Sequence, residues 1–402
     1  LGTFPENLPF RVCKTSEYIL NYVNLKEILK VNIKGNDEMK LTVKKDKLFK
    51  ALQKVTNIIG SKSTLPVLGN VLFEAKGNQL TLTSTDLEIR ITTTIEAQVE
   101  REGRTTIPAK KISSLVARFI DDSVLLDCNE KHHTDIVCGS AKFKLFGLQP
   151  DDFPVAPEFT PIKTLKFKEA DLLRIMDQIS YAVSLDDSRK VLHGILCSVK
   201  DNTFTAVATD GKRLALVEKL PLSFTGAEGD SIVPLKSAAE LKRVLEKEGE
   251  VTLEMGDKQA RFKTSGVEIF TKLIEGNYPN YRQVIPAAFT KTIDIPVKDF
   301  IAKLELVSIA LADTSAFIKL IFEEGKLNFS AASNNVGEGA DSIAINYSGD
   351  RMEISFNPVF LADPFKHTDA DKIHMKLNDA FSPVAIESGD GFLYVIMPMR
   401  NR

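Results

Sequence analysis

The feature that most limits how this chain can fold is an internal repeat: three segments follow one order of elements. Each opens with a short strand and then an amphipathic helix. Leu48, Leu52, Val55 and Ile59 recur at i, i+4, i+7 and i+11. Leu172, Ile175, Met176, Ile179 and Val183 keep a similar spacing, as do Phe300, Leu304, Val307 and Leu311. Such spacing puts each set on one helical face, toward a core. A turn marked by Pro or Gly follows, then two strands. "LTLTSTDLEIRITTTI" (80–95) parallels "FTAVATDGKRLALVEKL" (204–220) and, more weakly, "LNFSAASNNVGEGADSIAI" (327–345). In the first two, Thr-Asp stands at the same place between alternating apolar runs, the pattern of a hairpin.

A second helix follows in "TTIPAKKISSLVARF" (105–119), "SIVPLKSAAELKRVL" (231–245) and "EISFNPVFLADPF" (353–365), each with Pro near its first turn. Each unit closes on more strands and a landmark: "FGLQPDDFP" (146–154), "KLIEGNYPNY" (272–281) and "YVIMPMR" (394–400). The units run over 39–161, 162–286 and 287–402, about 115–125 residues each, the size of one domain. Linkers fall at "PVAPEFTP" (154–161) and around "VIPAAFTKT" (284–292). The expectation is an α+β chain of three tandem domains of one type. Residues 1–38 lie outside the repeat and lack the charged start and cleavage site of a signal peptide. Met39 reads as the natural start and 1–38 as an N-terminal extension.

Hydrophobic residues make up 43% and charged residues 26%, enough for a real core. The net charge of -2 carries no global pull toward nucleic acid or membrane, so any electrostatic role must come from local segregation. No apolar run approaches the roughly 18–20 residues that a membrane span needs. Cys13, Cys128, Cys138 and Cys197 form no CxxC pair and read as reduced thiols of a cytosolic protein. Cys128 and Cys138 flank a hairpin holding His132 and His133; two ordinary strand cysteines account for that better than a zinc site.

Catalytic patterns are missing. "TDGKR" (209–213) has Gly-Lys without the upstream glycine and the following hydroxyl of a phosphate loop. No GxSxG elbow and no HExxH occur, and the five histidines are scattered. The expectation is a non-enzyme without cofactor or metal. Lysines instead collect on helices: Lys44, Lys45, Lys47, Lys50 and Lys54 on one, Lys110, Lys111 and Arg118 on another, Lys236, Lys242, Arg243 and Lys247 on a third. Singly such residues only solvate a helix face. Repeated over tandem domains, they suggest a basic surface that touches phosphates without reading bases. No aromatics are interleaved for stacking on single strands.

"TLPVLGNVLFEA" (64–75), "LTLTSTDLEI", "VATDGKRLAL", "IVPLKSAAEL", "GNYPNYRQVIP" and "YVIMPMR" stand in an order that resembles the bacterial DNA polymerase III beta subunit, the sliding-clamp family, over roughly 39–400. The resemblance implies three repeats of the DNA-clamp fold and a head-to-tail homodimer ring encircling double-stranded DNA without sequence specificity. It implies a non-catalytic processivity factor, cytoplasmic and nucleoid-associated. The implied partners are the replicative polymerase alpha subunit, the clamp loader delta subunit, and other polymerases and mismatch-repair proteins with clamp-binding peptides.

A partner-peptide pocket between the second and third domains would use Arg189, Leu192, Thr209, Gly211, Lys212, Arg213, Leu214, Pro279, Val284, Asn357, Val395, Met397, Pro398, Met399 and Arg400. Methionines suit a wall that accepts several partners. Gln283, Phe360, Phe381 and Pro383 depart from the residues common in the family, which bears on peptide preference. DNA contacts would come from Lys62, Lys110, Lys111, Arg118, Lys190, Lys236 and Arg282. The ring interface would pair Phe143 and Leu145 with Ala310 and Leu311. Two other readings stay open at this point: a repeat scaffold that binds proteins but not DNA, and a hydrolase using Cys197 or the His132/His133 loop.

Overall fold

The computed structural model describes residues 38–60, 65–186, 188–312 and 317–400. The expected extension (but for its last residue) and Lys62 lie outside the described residues. The chain passes three times through one order of elements. The first pass is β1 (Met39–Lys44), α1 (Lys45–Val55), β2 (Asn70–Lys76), β3 (Gln79–Thr85), β4 (Ile89–Glu96), β5 (Gln98–Arg101), β6 (Gly103–Pro108), α2 (Ala109–Val116), β7 (Ser123–Cys128), β8 (His133–Cys138) and β9 (Ala141–Phe146). The second is β10 (Lys163–Lys168), α3 (Glu169–Ile179), β11 (Gly194–Lys200), β12 (Thr203–Thr209), β13 (Arg213–Lys219), β14 (Ser223–Gly226), β15 (Gly229–Pro234), α4 (Leu235–Val244), β16 (Glu250–Met255), β17 (Gln259–Lys263) and β18 (Val267–Lys272). The third is β19 (Lys291–Pro296), α5 (Val297–Ser308), β20 (Ile318–Glu323), β21 (Lys326–Ser333), β22 (Gly337–Ala344), β23 (Met352–Phe356), α6 (Pro358–Lys366), β24 (Lys372–Leu377), β25 (Val384–Gly389) and β26 (Phe392–Ile396). Among the described residues it has one short strand fewer than the first two.

Compactness groups the described residues into two units: those within 38–56, 65–82 and 94–153 in one, those within 57–60, 83–93 and 154–400 in the other. In the first, β5, β1, β7, β8 and β9 form a sheet in that order, so β9 has a partner on one side only. In the second, β10, β16, β17 and β18 repeat that order of pairing, and residues 89–93 of β4 add antiparallel to β18. The third pass does the same with β19, β24, β25 and β26, and here β13 adds antiparallel to β26, Arg213 facing Ile396 and Val217 facing Phe392. A last strand therefore pairs twice with the outer strand of the preceding hairpin. Among the described residues, β9 and β22 are the equivalents left without such a mate.

Proline sets the second-helix starts as expected: Pro108 and Pro234 are the residues before α2 and α4, and Pro358 opens α6, while Pro296 also precedes α5. The helix faces are buried where the spacing put them, through Leu48, Leu52 and Val55, then Leu172, Ile175, Met176 and Ile179, then Phe300, Leu304 and Val307. The ends differ. Ile59, Val183 and Leu311 fall beyond α1, α3 and α5. At the end of α5, Ser308 Oγ donates to Leu304 O at 2.6 Å, and beyond it Ile309, Ala310 and Leu311 each bond three residues back. A hydroxyl competing for a helical carbonyl and a tightened last turn both end the α-helical ladder. Phe300 and Phe365 stack at 3.9 Å and join α5 to α6.

Candidate functional site

The Thr-Asp pair shared by the first two hairpins is turn chemistry. Thr209 Oγ1 donates to Arg213 O at 2.6 Å and accepts from Gly211 N at 3.1 Å. Asp210 Oδ1 accepts from Lys212 N and Arg213 N at 2.9 and 3.0 Å. Thr85 and Asp86 make the same bonds to Leu87, Glu88 and Ile89. The left-handed position of the turn is Gly211 at φ +85° in one copy and Leu87 at φ 76° in the other. Such a φ is strained for Leu and easy for Gly. The glycine leaves the 209–213 turn without a side chain at its tip, under Arg189.

Behind this turn, Leu214 and Val395 face each other across β13 and β26 and are buried with Leu196, Val207, Leu216, Ile232 and Ala385. These residues alternate with Cys197, Ala206 and Val217, so they occupy one face of the sheet. Tyr278, Tyr281 and Ile285 pack against that face, which places Pro279 and Val284 beside it. Val284 is 37% exposed and Met397 38% exposed, half-covered apolar walls over a buried floor. The tail is tied on both sides: Met397 N donates to Lys212 O at 3.1 Å and Met399 N to Ser355 O at 2.7 Å. Asn357 caps α6 by accepting from Val359 N and Phe360 N at 3.0 and 3.1 Å. Pro398 and Met399 are half-buried, Arg400 is exposed, and Leu192 is buried.

Arg189, Lys212 and Arg213 line a cavity of about 540 Å³ with Tyr181, Asp186, Asp210, Leu235 and Phe360. Arg213 differs from its neighbours there. Its side chain is only 9% exposed and already occupied on every edge, by Asp210 Oδ2 at 3.1 Å, by the carboxylate of Asp363, and by Tyr181 O at 2.5 Å. Its guanidinium lies 4.1 Å from the centre of the Phe360 ring. Tyr394, fully buried, donates its hydroxyl to Phe360 O at 2.8 Å. Beside them His367 stacks on Tyr181 at 4.8 Å and sets Nδ1 3.0 Å from Asp177 Oδ2. Asp177 also accepts from Lys242. Burial pushes the Asp177 carboxyl up, but Lys242 and His367 outweigh it and hold it below the usual carboxylate range. Sequence reasoning missed Asp210, Asp363, Tyr181 and Tyr394, since no spacing rule links Arg213 to Asp363.

The basic residues divide. Lys110 and Lys111 are exposed in the first turn of α2, and Lys236 in the first turn of α4, ion-paired to Asp86. Neither helix has an acidic residue in that turn. Cations at a helix N-terminus oppose the macrodipole, so helix stability does not explain them. Arg118 is exposed just past α2 and donates to Ser114 O, and Lys190 is exposed. Arg282 sits apart from the helical set. It lies 5.4 Å from the Tyr281 ring, in the segment packed on the Leu214 face, against which no residue of α3 or α4 is placed. Phe143 on β9 is 44% exposed and Leu145 half-buried, with Phe146 at 64%. Ala310 and Leu311, half-buried, follow α5 beside the exposed Leu306 and Ile309. Cys128 faces Thr134 at one end of β8 while Cys138 ends the other, so the two thiols are apart. Among the described residues no cluster fits a metal ion, and no helix is long and apolar enough to cross a membrane.

Comparison with known proteins matches three family models in series, the N-terminal, central and C-terminal domains of the DNA polymerase III beta subunit, to residues 39–157, 166–280 and 282–400. The beta sliding clamp of Chlamydia muridarum is 30% identical over 365 residues, covering 90% of this chain and 99% of that protein. That of Pseudomonas putida is 31% identical over 369 residues, covering 90% and 100%. A crystal structure of the Pseudomonas aeruginosa sliding clamp bound to griselimycin superposes with a TM-score of 0.86 at 30% identity, over 90% of this chain and all of that one.

Proposed function

The chain belongs to the DNA polymerase III beta-subunit family, and from that premise we propose how its surfaces serve as a processivity clamp. It is a DNA sliding clamp, a non-catalytic subunit that works in replication with the polymerase and the clamp loader. A clamp needs closure, a surface that tolerates sliding, and a place to hold its clients.

Closure is supported by the two unmated strands, the observation that carries this reading most directly. Last strand and hairpin strand pair twice within the chain, and β9 and β22 are the corresponding pair left over. Joining β9 of one copy to β22 of another extends the same rule into a head-to-tail dimer, covers both edges, and buries Phe143 and Leu145 against Ala310 and Leu311. Sliding is supported by Lys110, Lys111 and Lys236 at helix N-termini, where positive charge and unpaired amides both suit phosphate oxygens. Clients dock as short peptides whose apolar anchors cover Val284, Met397 and the Leu214–Val395 floor. The protein works in the cytoplasm, where its DNA is.

Sedimentation of the full chain together with loading onto nicked circular DNA tests this. The expected result is a species near twice 44.5 kDa that stays on the circle when a loader is present and leaves once the circle is cut. A monomer that a loader never retains on circles would overturn it.

A further inference from the structure

We infer that Arg213 is a positioning residue: it locks the 209–213 turn to α6 and so sets the groove width, rather than touching the docked peptide. The inference rests on the groove reading above. A guanidinium offers five donors in a rigid planar fork. Here that fork is spent on Asp210, Asp363 and the carbonyl of Tyr181, and its face is covered by Phe360. Little of it remains to meet a ligand, whereas Arg189 and Lys212 beside it are exposed.

The tied parts explain the consequence. Asp210 holds the turn whose Lys212 carbonyl receives Met397, and Asp363 and Phe360 belong to α6, whose cap Asn357 follows the Ser355 carbonyl that receives Met399. Both anchors of the tail thus depend on parts that Arg213 fastens together. Asp363 does not line the Arg189–Lys212 cavity. It lines a separate one of about 400 Å³ between α5 and α6, with Leu304, Ser308 and Lys366. A peptide over Met397 and Val284 would not reach it, so Asp363 acts on binding through Arg213 alone.

The test titrates a fluorescent peptide bearing a Gln and apolar anchors against the intact full-chain protein. Dimers of the parent, Asp363→Asn, Arg213→Lys, the double variant and Met397→Ala are compared well below their unfolding temperatures. Lysine keeps the charge but loses the fork. Positioning predicts that Asp363→Asn and Arg213→Lys each weaken binding by about fivefold or more, the scale of an ordinary coupling. The double variant should be no worse than either single one. A role confined to stability would lower melting temperatures and leave these affinities unmoved while Met397→Ala still weakens binding, which overturns the inference. Asp363→Asn binding as the parent does while Arg213→Lys loses affinity overturns it too, since Arg213 would then touch the peptide. No effect from any variant, Met397→Ala included, removes the groove itself. Should Asp363→Asn not yield folded dimer, Asp363→Glu, which keeps the charge and displaces it, takes its place with the same expectations.

Discussion

Replacing Met397 by alanine gives a number that the groove must honour. Met397 is 38% exposed, so packing within the chain already covers most of the side chain and a client can cover only the remainder. Full burial of a methionine side chain contributes about 1.5–3 kcal/mol. The exposed share scales this to about 0.6–1.1 kcal/mol, which is about a three- to sevenfold rise in Kd. Fluorescence anisotropy with a labelled peptide at constant salt resolves such a factor. Val155→Ala serves as the control, because Val155 is 87% exposed and lines a different cavity with Leu87, Arg90 and Phe270, and affinity should stay within error. A Met397→Ala protein that binds as tightly as the parent would refute the claim that clients cover this wall. A loss of a hundredfold would refute the area reasoning as well, pointing to a rearranged tail.

Tyr394→Phe deletes the buried hydroxyl that donates to Phe360 O and should cost about 0.5–1.5 kcal/mol, seen as a lower urea midpoint; an unchanged midpoint would show that the carbonyl finds another donor. Asp177 titrates below its ordinary value in the fold, so its stabilising contribution is present at neutral pH and is lost as pH falls from about 4 through the folded value. The parent should therefore be more stable than Asp177→Asn at pH 7, and the gap should close in acid; a gap that widens on acidification would contradict the assignment. Lys110→Glu with Lys111→Glu should flatten the dependence of log DNA affinity on log salt by about 1.8, two contacts' worth, and a slope that does not move would remove α2 from the DNA surface.

The repeat was legible because each pass writes its own local rules. Pro108, Pro234 and Pro358 mark helix starts, and Thr-Asp marks the two turns whose side-chain bonds turned out equivalent. Helix ends were harder, since Leu311 continues the apolar spacing while Ser308 breaks the ladder beneath it. Strand alternation reports that one face is buried and is silent on which neighbour lies along each edge. Nothing local in β13 or β26 announces that they pair. The same blindness covered Arg213. The family resemblance implied a lining role for it, but its partners Tyr181 and Asp363 come from far along the chain, and only packing could reveal a cation already bonded through all three of its nitrogens.

The pairing of β13 with β26 also sets a clock for a growing chain. Arg213 faces Ile396, 183 residues later. At roughly 5–20 residues per second, β13 waits about 10–40 s on the ribosome before the strand that covers it emerges. Through that interval the middle domain carries a bare, apolar-flanked edge, open to whatever other strand is near. A polypeptide released early would keep that edge for good, and would also lack Met397 and the wall it forms. On the groove proposed above, one missing strand would both mark a truncated product as unfinished and keep it from holding clients.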